Sequence, residues 1–167
     1  MSASYSHKDP RLVPMILESS RDEYTISTDP ARLDVAAIHA FLANSYWSPG
    51  IPLATLERAI RNSLCFGVFH HSSQVGLARV VSDYATYAYL CDVYILEQHR
   101  SQGLGKWLME TVISHPALQG LRRFTLATRD AHGLYHQFGF RPLTDPDRHM
   151  EISVPDIYLS MPSERCC

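Results

Sequence analysis

The chain has no excess of charge of either sign, and this lack restricts its partners. Its 167 residues include 15 basic and 17 acidic side chains, which give a net charge of -2. Proteins that bind nucleic acid or anionic membranes through electrostatics carry a basic excess, so we expect neither partner. The sequence also lacks an apolar run of roughly 18 residues, the length that a membrane-spanning helix requires.

The first residues lack the features of an export signal. Residues 1–10 are polar and contain no apolar segment like that of a signal peptide. We therefore expect a soluble, cytoplasmic protein. The length is that of one domain, and hydrophobic residues make up 46% of the chain, which is enough for a core.

Metal-ligand patterns are also missing. The four cysteines include no CxxC pair, which argues against the corresponding zinc sites. His132 and His136 have the i, i+4 spacing of one helix face, but Gly133 replaces the glutamate of an HExxH zinc motif. We therefore predict no metal ion.

The periodicity of the apolar residues predicts a mixture of strands and helices. The predicted strands are residues 24–27, 65–70, 75–82, 87–96, 121–128, 140–143 and 150–154. The predicted helices are residues 33–44, 55–62, 103–114 and 130–138. Residues 1–22 are polar and are predicted to form a loose arm.

The most informative stretch is residues 92–109, in which an apolar strand is followed by a polar turn and a helix. Gly103 and Gly105 lie at the start of this helix, where a missing Cβ lets a ligand approach the backbone. The first helical turn also has free N–H groups and the positive end of the helix dipole. Together with the charge of Arg100, these features predict a phosphate site.

Two common phosphate motifs do not fit this stretch. A P-loop requires GxxxxGK[ST], but Trp107 stands where the metal-binding hydroxyl belongs. A dinucleotide fingerprint requires GxGxxG, but Leu108 occupies the third glycine position, and the preceding strands form a predicted antiparallel meander rather than a parallel unit.

A third pattern is more specific. The run Arg100-Ser101-Gln102-Gly103-Leu104-Gly105 has the form [R/Q]-x-x-G-x-[G/A], and residues 134–140 have the form LYxxFGF. These paired motifs resemble the GNAT superfamily of acyl-CoA-dependent N-acyltransferases. The resemblance implies an α/β (α+β) fold with a mixed, mostly antiparallel central sheet flanked by four helices. It covers residues 23–155 as one domain and leaves residues 156–167 as a tail.

The resemblance also implies how acetyl-CoA would bind as the acyl donor. The main chain of the strand before the turn would pair with the pantetheine arm, and the N–H groups of the phosphate loop would bind the pyrophosphate. Thr128, where the next strand ends, and Ala131 match further positions that contact pantetheine. Thr128 stands where an asparagine is frequent. The implied binding residues are Val93, Tyr94, Ile95, Arg100, Ser101, Gln102, Gly103, Leu104, Gly105, Lys106, Thr128 and Ala131.

Two side chains are candidates for the chemistry of acetyl transfer to an amine. An amine with a pKa of about 10 must lose a proton before it can attack the thioester. The departing thiolate leaves better when an acid protonates it. Tyr135 matches the general acid of the family, and Asp92 is the only carboxylate within the strand nearest the reacting carbon. We expect Asp92 to be the base or the anchor of the ammonium group, although it could equally hold a loop.

The acceptor is expected to lie among aromatic side chains, since aromatic faces near a carboxylate suit a cationic amine. The predicted substrate residues are Tyr46, Trp47, Asp83, Tyr84 and Tyr89. A small amine is the expected acceptor, and a protein N-terminus or lysine is the alternative. A sensor that binds acyl-CoA without turnover is the alternative outside enzymes. The expected partners are acetyl-CoA and the amine, with a homodimer as one assembly open to the chain.

Overall fold

A computed structural model describes residues 15–154 and 156–160, which form a six-stranded sheet with four α-helices. The strands are β1 (Glu18–Arg21), β2 (Tyr24–Ser27), β3 (Leu64–His70), β4 (Ser73–Ser82), β5 (Tyr87–Ile95) and β6 (Arg123–Leu126). The helices are α1 (Val35–Leu42), α2 (Leu53–Arg61), α3 (Leu104–Ser114) and α4 (His132–His136). Strands β1 to β5 pair antiparallel in chain order, and β6 joins β5 in parallel.

Helices cover both faces of the sheet. Successive residues of a strand point to opposite sides, so one strand contributes side chains to both cores. On one side Phe66 and Val80 belong to a core with the buried face of α3. On the other side the neighbouring Cys65 and Leu77 pack with Ile38 and other buried residues of α1 and α2. The burial of both faces explains why β3 and β4 have nearly continuous apolar sequences.

Local signals fix the helix starts. The Asp34 carboxylate accepts a hydrogen bond from the Ala37 N–H at 2.9 Å, which caps α1. Gly103, with φ 76°, adopts the left-handed conformation immediately before α3. A glycine takes this conformation without the steric cost that a side chain adds. No helix within the described residues is long and apolar enough to cross a bilayer.

The fold class and the order of the first nine predicted elements are confirmed, but both ends of the prediction are wrong. Part of the predicted arm 1–22 is a strand, since β1 pairs with β2; residues 1–14 lie outside the described residues. The predicted strands 140–143 and 150–154 do not form in the described chain. Residues 156–160 are not a free tail, because Tyr158 packs against the α1–α2 core; residues 161–167 lie outside the description.

The failed strand at residues 150–154 has a simple physical reason. Met150, Ile152 and Val154 alternate with polar residues as in a half-buried strand. Met150 and Ile152 are nevertheless 97% and 99% exposed. Periodicity reports a local preference, whereas a strand also needs a neighbour for its backbone groups. That neighbour depends on the path of residues 141–149, which the pattern does not predict.

Candidate active site

A cavity lies where β5 no longer pairs with β6, next to a bulge in the pairing of β5 with β4. Leu77 pairs with Tyr94 and Arg79 pairs with Cys91, so Ala78 alone lies opposite two residues of β5. Such a bulge bends the strand and increases its twist. On the other side of β5, the pairing with β6 among the described residues ends at Leu90 and Leu126. Residues 91–95 therefore have a backbone edge without a neighbouring strand on the β6 side.

The opening between this edge and the segment after β6 is a cavity of about 990 Å³. The turn between β5 and α3 forms one end of the cavity. The segment leading into α4 forms the wall that faces the edge of β5. Side chains of α1 and of the α1–α2 loop close the remaining side. The predicted site residues that line the cavity are Tyr46, Trp47, Tyr89, Asp92, Val93, Tyr94, Ile95, Arg100, Ser101, Gly103, Leu104, Gly105, Thr128, Ala131 and Tyr135.

The predicted phosphate loop has the open backbone that an anion would need. A Cβ built on Gly103 meets no atom within 4 Å, so the space beside this residue is free. Ser101 also has a positive φ of 62°. The eleven residues of α3 begin directly after Gly103 and direct their free N–H groups towards this turn.

Arg100 has a second role that the sequence did not predict. Its Nε donates a hydrogen bond to the Ile95 carbonyl at 2.9 Å, so the side chain also braces the turn in which it lies. The loop is held from outside by Tyr24 of β2. The Tyr24 hydroxyl donates to Gln102 Oε1 at 3.2 Å and lies 2.9 Å from His99 Nδ1. Gln102 and Lys106 do not line the cavity.

Tyr135 extends from α4 into the cavity wall and is 8% exposed. Burial, reinforced by the nearby Tyr46 and Asp130, raises the pKa of its hydroxyl to about 12. The group is therefore protonated at neutral pH and is a hydrogen-bond donor. Thr128 supports the same segment, because its hydroxyl accepts from the Ala131 N–H at 3.1 Å.

Asp92, at the bulge with φ 51°, is engaged on both carboxylate oxygens. Arg79 Nε donates to Oδ2 at 2.6 Å, and Trp47 Nε1 donates to Oδ1 at 3.0 Å. Burial alone lowers the pKa of Arg79, but the charge and hydrogen bond of Asp92, together with the nearby Cys91 and Cys65, more than offset this, so the net pKa is raised. Asp92 thus connects β4, β5 and the α1–α2 loop, and each of its oxygens already accepts one hydrogen bond.

Sequence reasoning missed Arg79, although one signal was present. It is the only charged residue in the apolar strand segment 75–81, and a charge in such a segment needs a partner. Its Nη1 also donates a hydrogen bond to the Ser63 hydroxyl at 3.0 Å. Cys91, beside this pair, lines the cavity, and burial raises the pKa of its thiol to about 12.

Aromatic side chains of α1 and of the α1–α2 loop close the remaining side of the cavity. The rings of Tyr46 and Trp47 meet edge to face with centroids 4.9 Å apart, and Arg129 lies over the Tyr46 ring at 3.8 Å. Phe41, which the sequence analysis did not select, stacks on Tyr94 at 3.7 Å. Its helical position within α1 gave no reason to distinguish it from a core residue.

The structure places Asp83 and Tyr84 outside this cavity, which corrects their predicted substrate role. The Asp83 carboxylate accepts from the N–H groups of the turn before β5, at residues 85–87. The Thr86 hydroxyl and these backbone donors hold the pKa of Asp83 well below its ordinary value. Tyr84 packs against the core on the α3 side. Both residues therefore shape a turn.

Comparison with known proteins agrees with this geometry. A sequence model of the Acetyltransferase (GNAT) family matches residues 22–140. The chain belongs to the GNAT acetyltransferase family. The predicted family is thereby confirmed, and the matched region contains both sequence motifs.

Individual relatives support the same assignment. The chain is 53% identical to a candidate GNAT acetyltransferase of known structure from Xanthomonas campestris pv. campestris, with a TM-score of 0.79 over 81% of this chain and 96% of that one. It is 38% identical to a candidate acetyltransferase from Gibberella zeae, over 70% of this chain and 77% of the relative. A GNAT protein from Elizabethkingia anophelis, crystallised with acetyl-CoA bound, shares the fold at 16% identity. That pair has a TM-score of 0.57 over 78% and 88% of the two chains.

The buried pair of Arg79 and Asp92 leads to a stability prediction. We expect Asp92→Asn or Arg79→Met alone to lower the free energy of unfolding by about 3–5 kcal/mol, because each leaves one buried charge without its partner. Urea unfolding of the two single variants and of the double variant measures these changes in the free energy of unfolding. The double variant should lose less than the sum of the two single losses; strictly additive losses would show that the two side chains are not coupled.

Proposed function

We propose that this GNAT protein transfers an acetyl group from acetyl-CoA to a small primary amine by direct attack in a ternary complex. The observation that carries the proposal is that one cavity contains the phosphate loop, the open edge of β5 and the Tyr135 hydroxyl. Acetyl-CoA would supply the acetyl group as a thioester. Groups of this chain would hold the donor and assist the transfer.

The residues around the cavity fit the parts of such a donor. The unpaired backbone edge of Val93, Tyr94 and Ile95 offers N–H and C=O groups to an extended amide-containing arm, as an added strand would. The open turn at Gly103 and the start of α3 offer N–H groups to the pyrophosphate. Thr128 and Ala131 lie on the facing wall, where they would contact the arm.

We assign to Tyr135 a hydrogen bond to the leaving sulfur. Its hydroxyl is protonated at neutral pH, since its pKa is raised to about 12. Complete proton transfer from such a weak acid to a thiolate, whose thiol has a pKa of about 8.5, is unfavourable. A donated hydrogen bond nevertheless stabilises negative charge as it develops on the sulfur. This role is narrower than that of a full general acid.

Asp92 is better suited to positioning than to taking a proton. Its two oxygens already accept hydrogen bonds from Arg79 and Trp47. We therefore propose that the ammonium form of the acceptor loses one proton to water before the amine attacks. The second proton leaves the nitrogen as the C–S bond breaks and ends on the sulfur through solvent, so that coenzyme A departs as the thiol. Asp92 meanwhile holds the aromatic wall against the bulge of β5.

A small acceptor is favoured because the cavity of about 990 Å³ would have to hold both the donor arm and the acceptor. Tyr46, Trp47 and Tyr89 supply aromatic faces for a cationic amine before it is deprotonated. A lysine side chain or a protein N-terminus is the second candidate acceptor, since either could enter the same opening as a narrow chain.

Thiol release from acetyl-CoA in the presence of an amine tests the activity. We expect turnover with small primary amines, and we expect Tyr135→Phe to lower kcat by about 10²–10³ because the sulfur loses its hydrogen-bond donor. Tyr84→Phe, a tyrosine outside the cavity, is the matched control and should leave kcat unchanged. Faster turnover of lysine or N-terminal peptides would replace the small amine as acceptor. Coenzyme A binding without any turnover would instead indicate a sensor.

The proposed loss of the amine proton to water predicts the pH dependence. An alkyl amine has a pKa of about 10, so its reactive neutral fraction rises about tenfold per pH unit from pH 7 upward. We expect kcat/KM to follow this rise up to the pKa of the amine used, and to shift when an amine of lower pKa is substituted. A plateau that begins well below the amine pKa, at one pH for all amines, would show an enzymic base.

The phosphate loop is tested by a matched pair of glycine variants. Gly103 and Gly120 both have a positive φ, 76° and 73°, and open space at the Cβ position, so both glutamate substitutions carry the same kind of backbone strain. Only Gly103→Glu places a carboxylate beside the proposed pyrophosphate site. We expect coenzyme A to raise the melting temperature of the wild type and of Gly120→Glu, but not of Gly103→Glu. Equal protection of all three proteins would contradict the assignment.

A further inference from the structure

Three potential metal ligands meet at one end of the sheet, outside the cavity. Glu23 lies in the turn between β1 and β2, His70 ends β3, and His71 begins the turn before β4. His70 Nε2 lies 3.4 Å from Glu23 Oε2, and His71 Nε2 lies 3.6 Å from Glu23 Oε1. One ligand atom from each residue falls within 4.8 Å of the other two.

The backbone brings these side chains together. Consecutive residues of a strand point to opposite faces of the sheet, and on that rule the two histidines would diverge. His71 instead has a φ of 54°, and the two imidazole centroids are 4.4 Å apart. The His71 N–H also donates to the Glu23 carbonyl at 3.1 Å, which fixes the two turns side by side.

Packing orients the cluster while leaving it accessible to solvent. The His70 ring has Tyr24 on one side, with centroids 4.8 Å apart, and His99 at 5.2 Å. The His70 side chain is 30% exposed, whereas the side chains of His71 and Glu23 are 63% and 67% exposed. An ion could therefore reach the nitrogen and oxygen atoms from solvent without displacing the core.

We propose that Glu23, His70 and His71 form a binding site for one divalent transition-metal ion of the zinc class. Imidazole nitrogen and carboxylate oxygen are ligands of such ions, at about 2.0–2.2 Å from zinc. In a tetrahedral site, ligand atoms at that radius lie about 3.3 Å apart, close to the separations of 3.4 and 3.6 Å between the imidazoles and the carboxylate. Calcium and magnesium prefer all-oxygen sites, so the two histidines disfavour them.

The ion would join two hairpin turns that are distant in sequence. None of the three residues lines the cavity, so this site does not depend on the proposed acetyl transfer. Because the ligands come together only in the folded chain, binding would stabilise that state by mass action. The expected effect is a melting temperature that rises with the concentration of the ion.

The full chain, stripped with a chelator and titrated with Zn²⁺ and separately with Co²⁺, tests the proposal. Calorimetry should give one tight site per chain, and the ion should raise the melting temperature. We expect His71→Ala and Glu23→Gln each to weaken binding by at least about 10–100-fold, since loss even of an outer-sphere partner has that effect. His132→Ala, which breaks the other histidine pair, is the matched control and should bind as the wild type does.

The variants must first match the wild type in melting temperature when the chelator is present, which excludes simple misfolding. Binding that survives both His71→Ala and Glu23→Gln would overturn the proposal, as would binding that His132→Ala abolishes. A thiolate-to-cobalt absorption band would show cysteine ligation elsewhere and would also overturn it. The absence of any tight ion in the wild type would have the same consequence.

Discussion

The candidate site depends on one strand that loses its neighbour on one side. Buried backbone N–H and C=O groups must find partners, and in most of the sheet adjacent strands provide them. Beyond the bulge opposite Ala78, β5 stays paired with β4 as far as Ile95, whereas its pairing with β6 among the described residues ends at Leu90. The exposed edge can remain unpaired in a folded protein only where solvent or a ligand reaches it. The cavity is therefore a direct consequence of the sheet geometry.

The buried ion pair is what fixes this geometry. Arg79 and Asp92 come from adjacent strands on either side of the bulge, and Trp47 connects them to the α1–α2 loop. A buried pair of this kind contributes little net stability compared with an apolar pair, but losing one member is costly. The arrangement therefore favours a single conformation of the bulge and of the aromatic wall.

Features with local causes could be predicted from the sequence. The glycine turn before α3 and the tyrosine of α4 belong to compact motifs, and the apolar periodicity placed five of the six strands and all four helices. The contacts of Asp92 could not be predicted in this way, because Trp47 is 45 residues away and Arg79 is 13 residues away. Glu23 and His70 are likewise separated by 47 residues. A pattern that reads one segment at a time gives no information on such pairs, and the same limit explains the failed strand at residues 150–154.

Burial of one thiol would also protect the acetyl group of the proposed donor from a side reaction. Cys91 lies on the strand beside which a thioester would be placed, and a thiolate there would capture the acetyl group as a dead-end adduct by thioester exchange. Burial raises the pKa of the Cys91 thiol to about 12, so the thiol is far less ionised at pH 7 than an ordinary cysteine, of which a few per cent is thiolate. The apolar packing around β5 would thus serve chemical fidelity as well as folding, since it would suppress self-acylation during the proposed reaction.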